Sequence, residues 1–131
     1  AAKVLEGLIK NDENNLEALK TIARLRLALG ERKQALEALQ ASFYISPFDY
    51  KLHQQAGELS VELKDYAHAL TEFQVGLALA PPNVAEANYN VASAYHALGR
   101  QPEAKRAVLR ALEAAPRYDK AQELLLKIVG Q

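Results

Sequence analysis

The chain has 131 residues, half of them hydrophobic, with sixteen acidic residues balancing sixteen basic ones and no cysteine. Zero net charge argues against a general nucleic-acid binder, because phosphate contacts need a concentrated excess of lysine and arginine. The absence of cysteine excludes disulfides and thiolate metal sites, and no run of some eighteen apolar residues is present to span a membrane.

Apolar residues recur at helical spacing, and Pro47, Pro81 and Pro116 close successive stretches of this pattern at intervals of 34 and 35 residues. Such a period implies a helix–turn–helix unit that has been copied and stacked, since a single helix pair cannot bury its apolar face alone. Counting from the prolines divides the chain into units 16–49, 50–84 and 85–118, preceded by 1–15 and followed by 119–131. Only the middle unit carries an extra residue, in the link Pro81-Pro82-Asn83-Val84, where a turn absorbs it at little cost.

In chain order, residues 1–15 read as the second helix of an earlier unit, with Ala1, Leu5, Leu8 and Ile9 at its core places. A chain opening in mid-unit without methionine is expected to be a fragment of a longer protein. The first half of each unit predicts a helix with core positions 3, 7, 10 and 14. These are Ala18, Ile22, Leu25 and Leu29, then Leu52, Ala56, Leu59 and Leu63, then Ala87, Val91, Ala94 and Leu98, with small Ala23, Gly57 and Ala92 at position 8. The second half predicts another helix, small at position 20 (Ala35, Ala69, Ala104), large at 24 (Leu39, Phe73, Val108) and small at 27 (Ser42, Gly76, Ala111). Small residues at fixed places let helix backbones approach closely. Between the halves, Gly30 and Gly99 stand where helices should end, and Pro102 fits the first turn of the next helix. The last predicted helix, Asp119 to Val129, is read as a cap in which Leu124, Leu125 and Ile128 cover the third unit, or as the first helix of a further one.

This pattern resembles the tetratricopeptide repeat family. The third unit, AEANYNVASAYHALGRQPEAKRAVLRALEAAPRY, carries the likeness best, with Ala92, Tyr95, Gly99, Ala104, Ala111 and Pro116 where the family expects them. The first two units depart at position 11, where Arg26 and Ser60 replace a favoured aromatic, and none has the favoured tryptophan at position 4. The resemblance implies an all-α fold, a right-handed α-solenoid of stacked antiparallel helix pairs. It also implies a non-catalytic protein-interaction module that holds a peptide or partner helix on a concave surface lined by the first helices. Mapped onto this chain, that groove comprises Glu17, Lys20, Arg24, Leu27 and Ala28 from the first unit, and Lys51, Gln54, Glu58, Val61 and Glu62 from the second. The third contributes Glu86, Tyr89, Ser93, His96 and Ala97. The alternative is a structural spacer or oligomerisation arm of a larger multidomain protein, self-associating through its exposed repeat ends.

One subclass of the family grips the acidic tails of chaperones with a carboxylate clamp. At the clamp positions this chain has Lys20, Arg24, Gln55, Glu86 and Asn90, of which only Lys20 agrees, and Glu86 would repel a carboxylate. A chaperone tail is therefore disfavoured, and the expected partner is a protein or peptide of unassigned identity. Lys20, Arg24, Arg26, Arg32 and Lys33 alternate with acids and read as a solvated face, as do Glu58 and Glu62 one turn apart. His53, His68 and His96 lack metal-ligand spacing and are expected at the surface or rim, so neither metal nor cofactor is anticipated. Compartment is left unassigned.

Overall fold

The computed structural model describes residues 12–130. Among the described residues seven helices follow one another: α1 (Asp12–Ala28), α2 (Arg32–Ser42), α3 (Tyr50–Glu62), α4 (Tyr66–Ala78), α5 (Val84–Ala97), α6 (Gln101–Ala114) and α7 (Asp119–Val129). Among the described residues there is no strand, and no helix is long and apolar enough to cross a membrane. Each helix packs on the next, and α5 also meets α7, which makes an all-α helical-repeat solenoid of three pairs and a final helix. The assignment of residues 1–15 to an earlier helix lies, for 1–11, outside the described residues; Asp12–Asn15 belong to α1.

The turns inside the pairs share one geometry. Gly30 and Gly99 lie in the left-handed region at φ 76° and 75°, and Lys64, at the equivalent place, adopts it too at φ 62°. In each turn the next amide reaches back five residues: Glu31 N–H to the Arg26 carbonyl at 2.8 Å, Asp65 to Ser60 at 2.8 Å, and Arg100 to Tyr95 at 2.9 Å. These bonds satisfy carbonyls that a helix end would leave open. Helix starts are capped where the sequence supplies a short polar side chain: Asp49, Asp65 and Asn83 accept from the amides of Lys51, His68 and Glu86.

The second helices bury as expected, with Ala35, Ala69, Ala104, Leu39, Phe73, Val108, Ser42 and Ala111 all inside, as is Gly76. Position 8 is buried throughout as well. Among the first helices Ala18, Ile22 and Ala87 are only half-buried, and two core expectations fail outright. Position 14 is exposed in every unit (Leu29 69%, Leu63 39%, Leu98 37%), because it falls at the helix end beside the left-handed residue, where the chain turns away from the core. Leu25 is 59% exposed although its equivalents Leu59 and Ala94 are buried. Leu59 shares a core cluster with Ala35, Ala38 and Leu39 of the preceding pair, and Ala94 shares one with Ala69, Leu70 and Phe73. Before α1 no such pair stands among the described residues.

Position 4, absent from the expected core, is buried in all units as Leu19, His53 and Asn88. His53 is therefore an interior residue and not a rim one. Its ring stacks on Phe43 at 4.1 Å between centroids, and its nitrogens face the Pro47 carbonyl at 2.7 Å and the buried Glu72 carboxylate at 3.4 Å. These contacts fasten α3 to the preceding link and to α4. At the far end, α7 lays Ala121, Leu124 and Ile128 against the third pair, with Leu125 partly buried, and leaves Leu126 and Val129 exposed.

Candidate functional site

A cleft of about 400 Å³ opens between α1 and α3. Its floor is apolar, formed by Ala23 of α1, Leu39 of α2, and Leu52 and Leu59 of α3. Lys20, Arg24 and Leu27 form the α1 wall, four and three residues apart and so on one helical face. Lys51, Gln55, Glu58 and Glu62 form the α3 wall by the same spacing, and Asp49, the cap of α3, stands at the mouth. An apolar floor rimmed by a few convergent charges is the usual make-up of a binding cleft, and the volume lies in the usual range.

The charges are only partly paired. The Lys20 ammonium lies 3.8 Å from both Glu17 and Asp49, and Arg32 of α2 donates to Glu62 at 3.0 Å. Arg24, Lys51 and Glu58 have no ion-pair partner among the described residues. Desolvation by the cleft walls pushes the Glu58 carboxyl above its ordinary range; repulsion from Glu86 and Glu62 adds to this, while a hydrogen bond from Gln54 opposes it.

Of the groove residues expected from sequence, the structure gathers Lys20, Arg24, Leu27, Lys51, Glu58 and Glu62 around this cleft. Glu17 touches it through Lys20. Gln54 and Glu86 lie together in a smaller cleft of about 100 Å³ between α3, α4 and α5, where the Gln54 amide donates to the Glu86 carboxylate. Val61 is exposed on α3 outside both clefts, and Ala28 and Ala97 are exposed at helix ends. Ser93 is half-buried on α5. Tyr89 packs edge-on against Tyr118 at 5.5 Å, and His96 pairs with the Gln101 side chain at 3.0 Å. Asp49, Gln55 and the leucine floor were not among the expected groove residues. Leu39, Leu52 and Leu59 were legible only as core. Among the described residues no group of acids or histidines is arranged to hold a metal ion.

Residues 85–118 match the family model described as tetratricopeptide repeat. The equivalent helix pairs before that unit and the helix after it extend the same fold along the described residues. The chain has the fold of a tetratricopeptide-repeat array, and its third unit matches the family model. It is similar to the first such domain of Spaghetti (RPAP3), solved bound to the HSP90 peptide SRMEEVD: TM-score 0.79, 24% identity, 91% of this chain and 94% of that one. The first such domain of human RPAP3, solved by NMR, has a TM-score of 0.75 at 23% identity, covering 88% of this chain and 90% of its own. The Yersinia enterocolitica type III secretion chaperone SycD, solved with a peptide of the translocator YopD, has a TM-score of 0.78 at 17% identity, covering 90% and 95%. No curated protein matches the sequence. At these identities the structural likeness establishes the fold and leaves the ligand of this array open.

Proposed function

We propose that this array is a non-catalytic docking module that holds a peptide segment of a partner protein in the α1–α3 cleft. The observation that carries the reading is the cleft itself: an apolar floor of Ala23, Leu39, Leu52 and Leu59 beneath charged walls from the first helices of two successive repeats. An extended peptide or an amphipathic helix fits such a surface by seating apolar side chains on the floor and polar ones at the rim. Two similar arrays, those of Spaghetti and SycD, were solved with peptides bound, which supports a peptide as the class of ligand.

The test is peptide display selection on the immobilised chain, followed by calorimetry of the selected peptides. The reading expects peptides that compete with one another and lose binding in a variant combining Lys20→Ala, Arg24→Ala, Lys51→Ala and Glu58→Ala, with helical content retained by circular dichroism. Peptides that bind this variant as well as the parent would place docking elsewhere on the array.

A further inference from the structure

Within the α1–α3 cleft, some charges are neutralised by the array and others are left for a ligand. Lys20 is held between Glu17 and Asp49, and Glu62 is held by Arg32. That leaves Lys51 and Arg24 as cations, and Glu58 as an anion, without a counter-ion among the described residues. Glu58 is the least comfortable of the three, because the cleft walls desolvate it and Glu86 and Glu62 add repulsion. A cation from outside would relieve that repulsion, whereas a further carboxylate would deepen it.

The spacing of the unpaired groups adds a geometric constraint. Lys51 and Glu58 stand seven residues apart on α3, two helical turns on one face, which separates them by about 10 Å along the axis. Leu52 and Leu59 of the floor repeat the same interval beside them. An extended chain advances about 3.3 Å per residue, so about three residues of ligand span the distance from Lys51 to Glu58.

We propose that the preferred occupant of the cleft is an extended segment carrying an acidic residue and, about three positions away, a lysine or arginine, with apolar side chains between them. The acidic group meets Lys51 and Arg24, the basic group meets Glu58, and the apolar pair covers Leu39, Leu52 and Leu59. This rests on the reading of the cleft as a peptide-docking site. It sets the array apart from a receptor for wholly acidic tails, since such a tail would bring carboxylates against Glu58, Glu62 and Glu86.

Fluorescence anisotropy with four labelled decapeptides tests it. They share a serine–glycine frame and a Leu-Leu centre, and are flanked as Asp-Leu-Leu-Lys, Asp-Leu-Leu-Glu, Lys-Leu-Leu-Lys and Ser-Leu-Leu-Ser. The Asp/Lys peptide is expected to bind tightest, about tenfold tighter than the Asp/Glu peptide, the factor that one charge-assisted contact against one repulsive contact supplies. Glu58→Gln should reduce that ratio, and Glu58→Lys should reverse it, with circular dichroism showing both variants folded. Equal binding of the Asp/Lys and Asp/Glu peptides, or a ratio unmoved by Glu58→Gln, would overturn the charge rule while leaving peptide docking standing. Saturable binding of none of the four, at concentrations up to the millimolar range, would overturn the charge rule and the docking reading together.

Discussion

Phe73 of α4 packs directly against Gly57 of α3, so close that a Cβ on Gly57 would stand 2.6 Å from the Phe73 Cδ1. The small position 8 of one helix and the large position 24 of its partner thus form a single packing unit. Gly57→Ala has no room without displacing a core ring, and overpacking of this kind costs about 1–3 kcal/mol. The expected outcome is a lower urea midpoint, partly restored when Phe73→Leu is added. A larger residue at the fully buried Ala92 or Ala104 should act in the same direction. An unchanged midpoint for Gly57→Ala would contradict the packing of α3 on α4.

Lys64 occupies a left-handed turn that its two counterparts fill with glycine. A non-glycine residue pays a steric penalty there, so Lys64→Gly should raise stability by about 0.5–1 kcal/mol, and Gly99→Ala should lower it by a similar amount. Thermal unfolding followed by circular dichroism reads both.

The buried His53–Glu72 pair is expected to matter more than the exposed Arg32–Glu62 pair. Both His53 ring nitrogens face acceptors, the Pro47 carbonyl and the Glu72 carboxylate. Glu72→Ala leaves one nitrogen buried without a partner, at a cost of about 1–3 kcal/mol. Glu72→Gln should cost much less, because an amide N–H can donate to Nδ1 while Nε2–H still donates to Pro47. Breaking Arg32–Glu62 should change stability by about 0–1 kcal/mol. Denaturant titration of the three variants checks the ranking.

Glu58 predicts a pH dependence. Its folded pKa is raised, first by desolvation and then by Glu86 and Glu62, so the folded chain holds this proton more tightly than the unfolded chain does. Stability contributed at this site therefore falls as pH rises from the ordinary value of 4.5 through the folded value. Glu58→Gln removes the penalty. The variant should be more stable than the parent at neutral pH, by an increment that solvent screening keeps small, and the difference should close below pH 4.5. Unfolding midpoints across the acid range provide the measurement.

The repeat period, the turns and the second helices were legible in the sequence because small and large residues recur there at fixed intervals and pack against one another. Leu25 and Leu29 were not, since periodicity names a helical face without saying what stands opposite it. His53 escaped because position 4 holds a leucine, a histidine and an asparagine in turn, and its burial becomes evident only once Pro47 and Glu72 are brought beside it. The cleft was legible on α1 and α3, whose wall residues follow helical spacing. Tyr89 and His96 turned to local partners instead, Tyr118 and Gln101, which no single-helix pattern reveals. Asp49 was hidden by its second task as the cap of α3.

Heteronuclear NMR of the isotopically labelled chain, titrated with the Asp-Leu-Leu-Lys decapeptide, tests peptide docking in the α1–α3 cleft most directly. The largest shift changes are expected at the amides of Lys20, Arg24, Lys51, Gln55 and Glu58. Saturable changes confined to the exposed Tyr44–Phe48 turn or to the Leu126–Val129 face of α7, with the cleft amides silent, would contradict it.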